Sequence, residues 1–288
     1  NAEPGGGDGA FGESIAASER TLLVIEAKEG AGSNVPVADA RAVLGPGWRL
    51  EGLGLPSRPS AVYPIGELAR GAAGFGLANP VLDRDGIIRR YPLAIHIGND
   101  PVPSLALAVL RKVDGDDAAK AWLSRTLSKK RLVDREGNLL LNWYGPGDVN
   151  GVFGYYSYRA VMEAAAREET TGRPDSVGVY FKDRIVIVGS NAPGLLDNKS
   201  TPVSRSGDGH GEAGAYPGME VHATAIENIL NDECISTIPR SIVFALMALV
   251  AVLLFTVVKT TRNLRHFIVV FFGFLLIEFA VSYRLMLN

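Results

Sequence analysis

The chain has 288 residues, a formal net charge of −2 and one cysteine, Cys234. Near-neutral charge excludes the basic footprint of a nucleic-acid binder, and a lone thiol excludes a disulfide framework. Stability must come from a packed core, and the residues before Pro239 are numerous enough to build one.

Residues 1–20 open with the Gly-rich NAEPGGGDGAFGES, which composition alone reads as a flexible segment. Thr21 to Glu26 (TLLVIE) reads as a buried strand, and 31–60 as irregular connection around Trp48. Asp83-Arg84-Asp85-Gly86 lies between two strand-like runs and predicts a hairpin, with Leu93, Ile95 and Ile97 sharing one face of its second strand. Ser104 is placed to cap the apolar helix LALAVL, and a second helix surrounds Trp122. Residues 132–146 predict another hairpin, with Leu139, Leu141 and Trp143 on one face. Ser157 is placed to cap the helix YRAVMEAAARE. Arg184 to Gly189 (RIVIVG), apolar without alternation, reads as a central parallel strand. A last helix, MEVHATAIENILN, follows Tyr216-Pro217-Gly218. Alternating helices and strands with two hairpins define an α/β class whose sheet is mixed but largely parallel, with flanking helices.

Two apolar runs close the chain. Ser241 to Val258 carries no charge, and Phe267 to Tyr283 is interrupted only by Glu278. Their length and shared terminal position predict two transmembrane α-helices, 239–258 and 267–287, rather than a buried pair. The connector 259–266 carries Lys259, Arg262 and Arg265, and such short basic loops stay cytoplasmic. Residues 21–238 are then expected to form an extracytoplasmic domain facing away from the cytoplasmic (inner) membrane of a bacterium. Glu278 is costly within a membrane unless paired, so it is expected at a helix–helix contact with a further span or a second copy. Both ends of the chain are abrupt, and an upstream anchor is expected.

No residue pattern assembles a catalytic centre. Gly189 to Gly194 (GSNAPG) follows an apolar run, but Leu195 and Leu196 stand where a nucleotide loop needs Lys and Ser or Thr, and the dinucleotide fingerprint is also missing. Asp83 to Gly86 begins like a calcium loop, yet Ala94 occupies the position of its closing Glu. His210, Glu212, Glu220 and His222 match no metal-ligand spacing, and His222 shares a helix face with Ile226 and Ile229, as a packed histidine would. No metal or other cofactor is expected.

The succession GFGLANPVLDRDGIIRRYPL, PSLALAVLR, LLLNWYGP, YSYRAVM, FKDRIVIVGSNAPGLLDNKSTPV and YPGMEVHATAIENIL resembles the CHASE2 family of extracellular sensory domains, from about Asp8 to Leu230. Matched family positions include Asn79, Asp83, Gly86, Arg89, Arg90, Asn142, Gly145, Gly189, Asp197, Pro202, Gly218 and His222. The resemblance implies a sensor outside the membrane, followed by spans and a cytoplasmic output such as an adenylate or guanylate cyclase or a kinase. It also implies an early portion of the domain that this chain lacks. Asn191, Asp197 and His222 are the expected ligand contacts, because they surround the end of the expected central strand, where open α/β sheets place their crevice. Expected partners are the bilayer, an unknown small-molecule or protein signal, and a second copy in a homodimer. The competing readings are an assembly subunit of an envelope complex and a membrane-anchored ectoenzyme. The first would show a stoichiometric partner without any ligand response, and the second would show turnover.

Overall fold

The computed structural model describes residues 7–30, 43–129, 131–147, 151–173, 176–190, 198–204, 216–238 and 240–260, with 271–273, 276 and 279. The chain divides into two compact units, Asn1–Ser236 and Thr237–Asn288. The first unit begins with helix α1 (Gly7–Ser18), strand β1 (Leu22–Lys28), two short strands β2 (Ser57–Arg58) and β3 (Ser60–Val62), helix α2 (Gly66–Gly71) and strand β4 (Gly74–Leu77). A run of strands follows: β5 (Val81–Leu82), β6 (Ile88–Pro92), β7 (Ala94–Ile97) and β8 (Asp100–Pro103). Next come α3 (Leu105–Asp114), α4 (Asp116–Ser128), β9 (Asn138–Leu140), α5 (Tyr158–Thr171), α6 (Ser176–Phe181), β10 (Asn198–Lys199), β11 (Tyr216–Pro217) and α7 (Gly218–Leu230). Helix α8 (Arg240–Thr260) belongs to the second unit.

The strands form small sheets in the orders β3-β1-β4, β2-β7-β8, β5-β6-β9 and β10-β11. Among the described strands, β1–β4 and β2–β7 pair in parallel and the other pairs are antiparallel. The expected single, largely parallel sheet is therefore corrected to a mixed α/β fold with several small sheets. The division turns on Leu93. Its N–H donates to the carbonyl of Gly137 at 2.9 Å, while its carbonyl accepts from Ser104 N–H at 2.9 Å. One residue thus bonds to a different neighbour on each side, and the expected second hairpin strand splits into β6 and β7. Leu93 packs in a core with Leu107, Trp122, Leu139, Leu141, Ala225 and Ile229, whereas Ile95 and Ile97 pack in a second core with Ile25, Phe75 and Leu77.

Local signals held where turn and cap chemistry is decisive. Gly86 and Gly137 adopt φ +78° and +81° in the two hairpin turns, where a side chain would be strained. Ser104 caps α3, accepting from Leu107 N–H, and Leu105 to Leu110 are all buried. Ser157 stands at the start of α5 but makes no capping hydrogen bond with its side chain. Asn79 accepts from Ala27 N–H at 2.7 Å and donates to Ala27 C=O at 2.9 Å, tying the exit of β4 to β1.

Three expectations are overturned. Residues 7–18, read as part of a flexible segment, form α1. A Cβ on Gly71 would lie 2.3 Å from Gly12 O, and one on Gly12 2.5 Å from Glu67 O, so these glycines allow α1 and α2 to touch backbone to backbone. Residues 184–190 belong to no sheet, and Ile185, Val186 and Val188 are exposed. An apolar strand needs a ladder neighbour and cover on both faces; among the described residues no strand is paired with this segment, and only Ile187 is partly buried against the core.

The two transmembrane helices are the third. Among the described residues no helix is long and apolar enough to cross a membrane. Within α8 the continuous run of described side chains is Ser241 to Thr256. That run extends roughly 24 Å, against a hydrocarbon core of about 30 Å. Most of the second apolar run, including Glu278, lies outside the described residues.

Candidate functional site

Helix α7 is apolar on the side that meets α3, where Val221, Ala225, Ile226 and Ile229 are buried. A second stripe on the same helix is polar and equally buried: Glu220, Thr224 and Asn228 are 3%, 0% and 0% exposed. A spacing of four residues puts them on one face. Burying such groups is unfavourable unless each finds a partner, and each does.

Glu220 stands in the first turn of α7 and accepts a short hydrogen bond from the Tyr155 hydroxyl. The helix dipole favours a carboxylate there. The neighbouring Gly147 leaves the room the carboxylate needs, because a Cβ would lie 2.8 Å from Glu220 Oε2 and 2.8 Å from the Tyr216 ring. The Thr224 hydroxyl meets the Tyr216 hydroxyl at 3.3 Å, and the Tyr216 ring packs edge-on against Trp143 at 5.2 Å. Asn228 uses its whole amide: Oδ1 accepts from Asn142 N–H at 2.7 Å, while Nδ2 donates to Asn142 C=O at 3.0 Å and to the Tyr144 hydroxyl at 2.9 Å. Every member of this stripe thus reaches the segment that follows β9 or the strand that enters α7.

The residues after α7 continue the attachment. Trp122 Nε1 donates to Asp232 at 2.8 Å, Cys234 lies against the carbonyl of Asn228, and Ile235 N–H donates to Leu140 C=O at 3.1 Å. Helix α7 and the residues that follow it are thus hydrogen-bonded to α4 and to the end of β9.

His222 is the one expected ligand contact within the described residues. It is partly buried, and its Nδ1 lies 2.7 Å from the Tyr91 hydroxyl, with the rings edge to face at 5.6 Å. The same hydroxyl accepts from Ala106 N–H at the start of α3, so the histidine links α7 to β6 and α3. Asn191 and Asp197, and with them the crevice they were expected to form with His222, lie outside the described residues, as do His210, Glu212, Arg262 and Arg265. Lys259 is exposed on α8, with its ammonium 5.6 Å from the centre of the Phe255 ring. Gly189 passes the start of α7, where a Cβ would meet Met219 Cβ at 2.9 Å. Asp83 and Asp85 are held by Arg89, and Asp83 also by Arg90, so this turn is cross-tied by ion pairs. Among the described residues, no group of three or more His, Cys, Asp or Glu side chains is arranged to hold a metal ion.

Thr224 and Asn228 escaped the reading of the sequence, and Glu220 was weighed only as a metal ligand. The signal was present as Glu-x-x-x-Thr-x-x-x-Asn beside the apolar face of the helix.

Burial pushes the Cys234 thiol up to about 11, with Asp232 adding to the effect, and holds the Tyr91 hydroxyl well above the usual phenol range. Both folded values lie above the unfolded ones of about 8.5 and about 10, so the stability they confer is complete below those values. It is lost as pH rises through the folded ones. The unfolding free energy of the domain, read from urea titrations, is expected to fall from about pH 9 upward, by at most about 1.4 kcal/mol per pH unit for each group. Cys234→Ser should remove the thiol's share of that slope. An unchanged slope in urea titrations at pH 8, 9.5 and 10.5 would show that the thiol is not shielded.

The chain belongs to the CHASE2 family: the family model of the CHASE2 domain matches residues 2–258. CHASE2 domains are extracellular sensory domains of membrane receptors, so the module is sensory rather than catalytic. The matched region takes in the whole α7 junction. No curated protein matches the chain, and no solved structure does.

Proposed function

We propose that the chain is the extracytoplasmic sensing module of a bacterial membrane receptor, and that α7 is the element that reports the bound state. The observation that carries this reading is the buried polar stripe Glu220–Thr224–Asn228, tied to Tyr155, Tyr216, Asn142 and Tyr144. Fully satisfied polar networks in a dry setting favour discrete arrangements over continuous deformation, which is what a two-state element requires. His222 at the same helix, with Asn191 and Asp197, is the proposed contact set for the signal. The proposed output is a cytoplasmic adenylate or guanylate cyclase or a kinase. A signal biases such an element only as far as its affinity differs between the two states.

A thermal-shift screen of the full chain tests the reading, using amino acids, small carboxylates, sugars and inorganic ions. A compound at a hundred times its Kd stabilises the folded state by about 2.7 kcal/mol. For a domain of this size, that raises the melting midpoint by roughly 5–10 °C. His222→Ala should weaken the response at least tenfold. A panel that moves nothing, alongside tight stoichiometric capture of an envelope protein, would instead favour the assembly role.

A further inference from the structure

A cleft of about 610 Å³ opens between two stretches of the first unit. One wall is the turn that ends α4, with Ser128, Lys129, Arg131 and Leu132. The other is the segment after α7, with Asp232, Cys234 and Ser236. The volume suits a small ligand, whose sites usually run to roughly 300–1,000 Å³.

Charge decides which kind of ligand. Lys129 and Arg131 bring two exposed cations to one wall. The one carboxylate in the lining, Asp232, is already engaged on the side of α4: it accepts from Trp122 Nε1 at 2.8 Å and faces Arg125 at 3.8 Å. Burial pushes the Cys234 thiol up to about 11, so it is neutral and does not repel an anion. The negative end of the α4 dipole lies at this turn, and the Arg125 carbonyl there is covered by the Ser128 hydroxyl at 2.6 Å and by Lys129 N–H at 3.3 Å. With the Ser128 hydroxyl spent on that carbonyl, Ser236 supplies the hydroxyl donor of the opposite wall. A guanidinium fork matches pairs of phosphate oxygens and an ammonium adds a point charge, so a doubly charged tetrahedral anion can use both cations at once.

We propose that this cleft binds a phosphate group, with Lys129 and Arg131 as its cationic contacts and Ser236 as its hydroxyl donor. The site is separate from the buried stripe of α7 and from His222, and it stands whatever signal those residues read. A ligand that touches both walls ties the segment ending the first unit to the end of α4. A free phosphate ester and a phospholipid headgroup offer the same chemistry, and the test separates them.

Cys234 lines the cleft and is the only cysteine of the chain, so its alkylation by iodoacetamide reports occupancy. The full chain is held in nonionic detergent at about pH 9, where enough thiolate forms to react. Inorganic pyrophosphate should slow the labelling by about tenfold at ten times its Kd. Sodium acetate at matched ionic strength should not. Lys129→Gln and Arg131→Gln should each weaken the protection about tenfold. The exposed Lys129 can be changed without moving the melting midpoint. Arg49→Gln, at an exposed cation elsewhere, should leave protection intact. In the second arm the micelles are doped with phosphatidylglycerol. Protection by pyrophosphate supports the site with a free phosphate ester as its ligand, and protection by phosphatidylglycerol alone supports it with a lipid headgroup. Protection in neither arm would overturn the proposal. So would equal protection by acetate, or protection that persists unweakened in Lys129→Gln and Arg131→Gln.

Discussion

Replacing Asn228 with alanine is expected to lower the unfolding free energy by about 3–4 kcal/mol, one of the two largest losses expected from a single side chain in the domain. Asn228 is fully buried and is the only link, among the described residues, that takes up both the N–H and the C=O of Asn142. Truncation leaves those two groups without their partner, while the Tyr144 hydroxyl keeps its hydrogen bond to Glu233. Each orphaned group costs about 1–3 kcal/mol, and partial relaxation returns some of that cost. Asn228→Asp keeps the acceptor, removes the donors and buries a charge, so it should be at least as damaging. Chemical denaturation measures both. A loss below about 1 kcal/mol for Asn228→Ala would mean that water replaces the amide, and that α7 is not held by this clamp.

Gly76→Ala is expected to cost about 3 kcal/mol or more, for a different reason. A Cβ at this position would lie 2.5 Å from Leu105 Cα and 3.0 Å from Leu105 N. The obstruction is backbone, and α3 cannot withdraw, because Leu105 to Leu110 are buried on nearly every side. Strand β4 is equally fixed by its parallel pairing with β1. Adding Leu105→Ala removes the side-chain contact at 3.1 Å but leaves the backbone clash, so it should not rescue Gly76→Ala. Recovery in that double variant would show that the Leu105 side chain, not the close approach of β4 to α3, sets the cost.

These two residues also mark what is legible in the sequence and what is not. The hairpin turns, the Ser104 cap and α7 were readable because each depends on contacts within a few residues. The switch at Leu93 was not, since its two hydrogen bonds go to Gly137 and Ser104, and nothing in the run from Ile88 to Ile97 announces that they diverge. Helix α1 was hidden by its own glycines. They lower helix propensity, yet Gly12 is what allows the close packing on Gly71. The segment RIVIVG was misread in the opposite sense, because apolar character reports a need for cover and does not supply the neighbour that gives it. His222 was readable from its helix spacing as a packed histidine, and it lies within a hydrogen-bonded junction. The stripe beneath it was in plain view as a four-residue repeat, and polar residues in an apolar helix are readily taken as solvent-facing until their partners are known.

Amide hydrogen exchange on the full chain, with and without each compound that raises its melting midpoint, tests the central claim most directly. If α7 reports the bound state, changes in protection will appear together in residues 142–144 and 218–235, and Asn228→Ala will uncouple the two segments. If stabilising compounds alter exchange only elsewhere, for instance in β2, β7 and β8, while α7 stays unchanged, then α7 is a structural strut and the signal leaves the domain by another route.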